Sequence, residues 1–172
     1  MRKFSTQDLA RGAVVAAVYA VLTLFLPIPQ YGEVQFRVAE CMTLLPFLFP
    51  WATPGLIVGC FLANLLGSPY VLDWVFGTLA TALACCLTAR MPNKWLAPLP
   101  PVLCNAVIVG AEIAFSTVGG FGAAFWPAFA AIGLSVGLGE LAVCYLLGLP
   151  LLSFLPRIRL FRDLLPAKRA AS

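Results

Sequence analysis

Residues 9–26 read LARGAVVAAVYAVLTLFL, an apolar run in which Arg11 is the one charged side chain. A helix needs about 20 mostly apolar residues to cross the hydrocarbon core of a bilayer, so this run is long enough to span it. A signal peptide would have a shorter apolar core and a cleavage site of small residues. We therefore interpret residues 9–26 as a retained transmembrane helix.

The composition of the whole chain agrees with that interpretation. Its 172 residues are 62% hydrophobic and 10% charged, whereas soluble domains carry about 25% charged residues. Histidine is absent, which argues against a serine hydrolase or a zinc enzyme, and no GxxxxGK[ST] phosphate loop occurs. The six cysteines form no CxxC pair, so we expect small buried thiols. The sequence predicts a membrane protein that is not an enzyme, with no catalytic residue, metal or cofactor of its own.

The remaining apolar runs are separated by Pro, Gly or charged residues, which punctuate helices. They predict an all-α, single transmembrane domain over residues 1–172 with six spans, at about 9–26, 36–49, 54–66, 72–90, 101–118 and 127–155. The second and third spans are short for a bilayer. The alternative is that they form a single helical hairpin with a tight turn at residues 51–54.

The distribution of basic residues predicts the orientation. Cytoplasmic segments of membrane proteins are enriched in Lys and Arg. With six spans and both termini in the cytoplasm, ten of the eleven basic residues lie inside, and Arg37 alone falls near the outside. The ten form no stripe, which disfavours nucleic-acid binding. They are Arg2, Lys3, Arg11, Arg90, Lys94, Arg157, Arg159, Arg162, Lys168 and Arg169.

A small set of polar side chains falls inside or at the ends of the predicted spans, where polar groups are costly and mark functional sites. Most are carboxylates, which suit a ligand rich in N–H donors or a cation. From a rise of about 1.5 Å per residue, we expect four of them to converge in the outer half of the bundle, namely Glu40, Asn64, Asp73 and Glu112. The full set is Arg37, Glu40, Asn64, Asp73, Asn105, Glu112 and Glu140.

Purely structural roles are the alternatives for several members of this set. Arg37 and Glu40 are three residues apart and would form an ion pair on a helix. Asp73 would cap a helix. Asn105 and Glu112 are seven residues apart, so a regular helix would place them on one face.

Two further patterns concern the loops and the helix surfaces. The predicted outer loops, at about 27–35, 67–71 and 119–126, are rich in Gly, Pro and aromatic residues, and would fold down as lids or anchor the chain at the membrane surface. Small residues recur four apart on three helices, which permits close helix packing. We expect internal packing for Gly55, Gly59, Gly133 and Gly137, whereas the first helix would present Ala13, Ala16, Ala17 and Ala20 to another membrane subunit.

Several longer segments resemble one known family. They are VQFRVAECMTLLP (34–46), PGLIVGCFLANLLG (54–67), LDWVFGTLAT (72–81), PPVLCNAVIVGAE (100–112) and GELAVCYLLG (139–148). Their pattern is similar to that of the QueT family of queuosine-precursor transporters, and the resemblance extends over nearly the whole chain.

The resemblance implies a substrate-binding (S) component of an energy-coupling factor (ECF) transporter, in the bacterial cell membrane. It implies a six-helix fold, a transmembrane coupling protein and two ATPase partners that use the ATP, and docking through the small face of the first helix. The implied substrate is a 7-deazaguanine, either a queuosine precursor or queuine. We favour Glu40 and Glu112 for its N–H edge, with Asn64 and Asn105 assisting and Phe36, Tyr70 or Trp126 stacking on the ring.

Three alternatives remain at this point. The same scaffold could carry another vitamin-like cargo, such as a flavin or a pterin. A homo-oligomeric ion channel could use a ring of Glu side chains as its filter. A membrane enzyme could use Glu and Asp.

Overall fold

The computed structural model describes residues 5–33 and 35–165, and every regular element in that part of the chain is helical. Five apolar helices form the bundle, with a buried 3-10 helix between the first two. The helices are α1 (Thr6–Phe25), α2 (Thr53–Gly67, preceded by the 3-10 turn Pro50–Ala52), α3 (Asp73–Thr88), α4 (Leu99–Val118), α5 (Phe125–Arg157) and the short α6 (Arg159–Arg162). The 3-10 helix is Val38–Phe47.

The all-helical membrane architecture expected from the sequence is confirmed. Four helices are long and apolar enough to cross a bilayer: α1, Pro50–Gly67, α4 and α5. The 3-10 helix and α3 are apolar but shorter. Six crossings with both termini inside therefore stay a prediction, and four of its basic residues, Arg2, Lys3, Lys168 and Arg169, lie outside the described residues.

Local sequence signals set the ends of α1. The Ser5 hydroxyl accepts a hydrogen bond from the Asp8 backbone N–H at 3.1 Å, and the Asp8 carboxylate accepts one from the Ser5 N–H at 3.2 Å. This reciprocal capping box satisfies two donors that the first helical turn leaves unpaired. The helix stops at Phe25, shortly before Pro27 and Pro29, which cannot continue a helix.

Small residues allow α1 and α2 to touch along their backbones. A Cβ atom added at Gly59 would lie 2.8 Å from the Ala16 carbonyl oxygen, and Gly55 abuts Gly12 in the same way. A second close approach joins α4 to α5, where a Cβ at Gly133 would lie 2.8 Å from the Ala106 carbonyl oxygen. The glycines of the predicted third and sixth spans therefore serve internal packing, as expected.

The 3-10 helix Val38–Phe47 is the main departure from the predicted secondary structure. The sequence predicted a regular span at residues 36–49, but the structure has ten residues of 3-10 helix, most of them buried. Runs of 3-10 helix beyond three or four residues are uncommon, because their hydrogen bonds are poorly aligned. Contacts from α1, α3 and α5 on this segment stabilise a winding that the local sequence does not signal.

Apolar side chains form two adjoining cores. One surrounds the 3-10 helix and includes Tyr19, Leu44 and Leu56, and the other joins α3, α4 and α5 around Ile113 and Val136. Three cysteines, Cys60, Cys85 and Cys144, belong to the first core, as expected for small buried thiols. Cys41 and Cys104 are half-buried, and Cys86 is exposed on α3, so the expectation does not hold for Cys86.

Two π turns interrupt the long helices α4 and α5. They cover Asn105–Val109 and Cys144–Gly148. A π turn holds one more residue than an α turn, which rotates the following residues about the helix axis, and such turns are frequent at functional sites. In α4 the π turn separates two of the polar side chains singled out from the sequence, Asn105 and Glu112.

Candidate binding site

An Arg-centred cluster of charges lies at the start of the 3-10 helix. The Arg37 side chain is only 5% exposed, and its guanidinium reaches Glu40 (Nη1 to Oε1, 3.7 Å) and Asp73 (Nη2 to Oδ2, 3.7 Å). Its Nε donates to the Gln30 carbonyl oxygen at 3.3 Å. One cation thus joins two carboxylates from different elements, and the expected Arg37–Glu40 pair is present.

Tyr19 of α1 completes the surroundings of Glu40. Its hydroxyl donates a hydrogen bond to Glu40 Oε1, and its side chain is fully buried. Thr43 Oγ1, one 3-10 turn further on, donates to the Glu40 carbonyl oxygen at 2.6 Å. Tyr19 was missed in the sequence, although a tyrosine in the middle of an apolar helix is itself a polar group at membrane depth and could have signalled the contact.

Asn64 and Asp73 form the adjacent part of the cluster, between α2 and α3. The Asn64 Nδ2 donates to the Asp73 backbone carbonyl oxygen at 3.0 Å. Asp73 is the first residue of α3, but its side chain caps no N–H of that helix and faces Arg37 instead. Gly77 leaves the space for this arrangement, since a Cβ atom there would overlap the Asp73 carboxylate. The capping alternative for Asp73 is therefore wrong.

Asn105 links two carboxylates deeper in the bundle. Its side-chain amide lies close enough to Glu40 and Glu140 to act on both carboxylates, and the Cys144 thiol lies 3.5 Å from Glu140 Oε1. Glu112 does not join this group. The expectation that Asn105 and Glu112 share a helix face assumed a regular helix, and the π turn Asn105–Val109 breaks that regularity. Glu112 contacts Ser116 and lines a groove beside α3 instead.

Glu112 lies on the floor of a groove between α3 and α4, which we call the α3–α4 slot. The slot has a volume of about 520 Å³ and includes Leu72, Phe76, Val107, Glu112, Phe115 and Phe121 among its lining residues. Ser116 Oγ donates to Glu112 Oε1 at 3.5 Å. Leu72, which lines the slot, directly precedes Asp73 in the chain, so the slot adjoins the Arg-centred cluster.

Several buried side-chain oxygen and nitrogen atoms among the described residues of this region have no hydrogen-bond partner. Within the described part of the chain, buried oxygens of three carboxylates have no hydrogen-bond partner: Glu40 Oε2, both Asp73 Oδ atoms and Glu112 Oε2. Two amide oxygens, Asn64 Oδ1 and Gln30 Oε1, bring these acceptors to six, and four buried donors of the same described residues are also unpaired: Gln30 Nε2, Gln35 Nε2, Arg37 Nη2 and Trp74 Nε1. Native proteins pair nearly all buried polar groups, so unpaired acceptors that outnumber the unpaired donors favour a partner that brings further donors. No group of three or more His, Cys, Asp or Glu side chains among residues 5–33 and 35–165 could hold a metal ion.

The aromatic residues proposed to stack on a ligand lie at the edge of this region. Trp126 is 68% exposed and packs edge-on against Phe125, Phe36 is 36% exposed, and Tyr70 is half-buried against the α4–α5 core. The structure brings none of them into the Arg-centred cluster. Phe76, Phe115 and Phe121 line the slot instead, and they were missed because phenylalanines in an apolar sequence carry no signal of their own.

Tyr31, in the loop after α1, holds that loop over the cluster. Its ring lies under the Arg37 guanidinium at 4.8 Å from the ring centre, and its hydroxyl donates to the Ala63 carbonyl oxygen at 2.7 Å. Burial raises the pKa of Tyr31 to about 12, so the hydroxyl remains a neutral donor. The loop is thus tied to both α2 and the cluster.

The predicted docking stripe on α1 divides between two environments. Ala16 is buried against Gly59 of α2, and Ala20 packs on the first core. Ala13 and Ala17 are exposed. A shallow groove of about 420 Å³ runs beside Ala13 and Ala16 and includes Trp51, Pro54 and Gly55.

Comparison with known proteins gives the family. The QueT transporter family matches residues 9–157, which is most of the chain.

The chain belongs to the QueT transporter family.

A curated relative in this QueT family is the queuosine precursor transporter QueT of Lactococcus lactis subsp. cremoris (strain MG1363), which is 35% identical over 83 residues. The alignment covers 47% of this chain and 48% of the relative, so the chain spans about half the length of the curated relative that it matches. No solved structure matches the chain. A family of transporters and several long apolar helices identify a multi-pass protein of the bacterial cell membrane, and not an enzyme.

Proposed function

We propose that this chain is the substrate-specificity subunit of an ATP-driven ECF importer, and that it binds a 7-deazaguanine, a queuosine precursor or queuine, from outside. Its partners are a transmembrane coupling protein and two ATPases, which use the ATP. The family name and the name of the Lactococcus relative support the cargo class. The α1 face with exposed Ala13 and Ala17 supports docking to another membrane helix.

The observation that carries the proposal is the set of buried acceptors without a hydrogen-bond partner, above all Glu40 Oε2, Asp73 Oδ1 and Glu112 Oε2. Leaving one buried acceptor unpaired costs about 1–3 kcal/mol, and more for a charged one. A deazaguanine presents adjacent N–H donors on one edge, which a carboxylate accepts in pairs. Binding of such a guest would offset the cost of these unpaired groups.

The experiment is a calorimetric titration of the purified protein with 7-deazaguanines, guanine, riboflavin and thiamine. We expect saturable binding of one deazaguanine per chain and no binding of riboflavin or thiamine. If Glu40 is the acceptor that meets the guest, Glu40→Gln replaces that acceptor by a donor and should weaken binding at least about tenfold, or about 1.4 kcal/mol. Unchanged affinity would remove Glu40 from the site and leave Glu112 as the favoured carboxylate. Glu33→Gln is the matched control, because Glu33 is exposed in the loop after α1.

Other results would identify the alternatives. Binding of riboflavin or a pterin, with none of a deazaguanine, would reject the cargo while retaining the subunit role. Ion flux in liposomes without ATP and without partners would instead identify a channel.

A further inference from the structure

The α3–α4 slot has the size and shape of a small-molecule site. Its volume of about 520 Å³ falls inside the range of roughly 300–1,000 Å³ that is common for ligand pockets. It begins beside Leu72 and Phe121, which lie in or next to the loops at one end of the bundle, and follows α4 inward to Val107. The slot therefore extends from the loop end of the bundle along α4.

One polar group dominates the slot. Glu112 is 5% exposed, and Ser116 occupies only its Oε1 atom. The other oxygen, Oε2, is buried without a hydrogen-bond partner among the described residues. A carboxylate with one oxygen fixed and the other unpaired, among the lining residues of an otherwise apolar groove, has the capacity to accept a hydrogen bond from a bound molecule.

The walls of the slot favour a flat aromatic guest. Phe76 lies on the α3 side, Phe115 lies on α4, and Phe121 packs on Phe115 with 4.9 Å between ring centres. Phe121 is 80% exposed and follows Gly119 and Gly120, whose positive φ angles of 77° and 145° suit glycine. Phenyl rings at the sides of a groove provide faces and edges against which a planar heterocycle packs.

We infer that the α3–α4 slot receives the ring of the guest and that Glu112 determines specificity by accepting its N–H edge. This inference rests on the proposed function, and it locates the donor-reading group outside the Arg-centred cluster. In that cluster Glu40 already accepts from Tyr19 and faces Arg37, whereas Glu112 has no basic side chain within ion-pairing distance among the described residues. Of the two favoured carboxylates, Glu112 is thus the one with fewer internal partners.

A bilayer lipid is the competing occupant, and the position of Glu112 argues against it. Glu112 lies six residues before Val118, the last residue of α4, which places it about 9 Å below the helix end. A lipid acyl chain would fill the apolar walls but leave Oε2 unpaired, and a lipid amine would have to sink to that depth. A heterocycle fills the slot and pairs the oxygen at once.

The test compares two guests that differ in one donor group, 7-deazaguanine and 7-deazahypoxanthine, which lacks the exocyclic amino group. In the unmodified protein we expect the missing amino group to weaken binding about tenfold, as one lost hydrogen bond to a charged acceptor does. In Glu112→Gln we expect weaker binding of 7-deazaguanine and little or no difference between the guests. Glu33→Gln, at an exposed carboxylate outside the slot, should retain the difference.

A second variant tests the slot without altering the carboxylate. Ala111 also lines the slot, so Ala111→Phe should fill it and weaken 7-deazaguanine binding at least about tenfold. Ala131→Phe, at an exposed position of α5, should bind as the unmodified protein does. Thermal unfolding of each variant shows whether it is folded. If Ala111→Phe does not fold, the result for Glu112→Gln alone decides between the outcomes.

Each result decides a different claim. If Glu112→Gln keeps the full preference for the amino guest, or a folded Ala111→Phe binds normally, the slot is not the site and the proposed function stands. A co-purified lipid that is lost only in Ala111→Phe, with unchanged guest affinity, would assign the slot to lipid and overturn the inference. If the unmodified protein binds no deazaguanine, the proposed function and the inference both fail.

Discussion

At the scale of single residues, Arg37 organises the buried charges. It is the one buried basic side chain among the described residues, and it faces two carboxylates while Glu112 and Glu140 lie further off. Removing a charge from water costs several kcal/mol, and an ion pair recovers this only with good geometry and further hydrogen bonds. The distances of 3.7 Å to Glu40 and Asp73 are long for charge-assisted hydrogen bonds, so these ion pairs leave hydrogen-bonding capacity on both carboxylates.

The contact between Tyr19 and Glu40 gives a prediction at this scale. Tyr19→Phe removes the donor to a fully buried carboxylate, so we expect the protein to lose about 1–3 kcal/mol of stability. Thermal unfolding in detergent measures the loss. Tyr145→Phe is the control, because the Tyr145 hydroxyl bonds the Trp95 carbonyl oxygen at an exposed position, and its loss should cost at most about 0.5 kcal/mol. Equal stability of Tyr19→Phe and the unmodified protein would contradict the role of Tyr19.

The polar members of the candidate site could be predicted from the sequence, and its apolar members could not. Arg37, Glu40 and Asp73 stand out because charges are rare in an apolar chain, and the structure brings them together. The phenylalanines of the slot are chemically ordinary in a chain with 13 of them, and only the path of α3 and α4 distinguishes Phe76 and Phe115. A rare charged residue can be recognised in the sequence, whereas a phenylalanine that lines the slot can be recognised only from its position in the structure.

At the scale of elements, the close contact of α1 with α2 gives a second prediction. Gly59→Ala would force a Cβ atom to 2.8 Å from the Ala16 carbonyl oxygen, so the helices must separate, at a cost of about 1–3 kcal/mol. Gly12→Ala in the same interface is the control, because its Cβ would make ordinary contacts at 3.9 Å. Alanine also favours the helix by about 1 kcal/mol over glycine. We expect a lower unfolding temperature for the first variant and an unchanged or higher one for the second. The opposite order would mean that the helices are not packed as described.

The elements themselves were partly predictable. The observed α1, α4 and α5 lie close to the spans expected at 9–26, 101–118 and 127–155, because long apolar runs bounded by Pro and Gly determine both. The 3-10 winding of Val38–Phe47 was not predictable, since its apolar composition suits any buried helix. The π turn in α4, which lies between Asn105 and Glu112, was also missed.

At the scale of the whole molecule, the proposed assembly predicts different roles for the two faces of α1. The buried face packs inside the bundle, and the exposed face, with Ala13 and Ala17, contacts the coupling subunit. Ala17→Trp adds a large side chain at an exposed position, so it should prevent assembly with the coupling subunit while leaving ligand binding unchanged. Co-purification of the complex and a ligand titration measure the two effects. Ala131→Trp, on the exposed surface of α5, should assemble normally. A normal yield of complex with Ala17→Trp would remove this face of α1 from the docking surface.

The winding of the 3-10 helix also limits how this chain can vary in length. With about 3.0 residues per turn, side chains three apart eclipse one another, so Arg37, Glu40, Thr43 and Pro46 form a single row. Inserting or deleting one residue inside that row would rotate everything before it by about 120° and move Arg37 away from Asp73. Natural homologues should therefore tolerate gaps in their connecting loops but keep a constant residue count between the positions of Arg37 and Pro46.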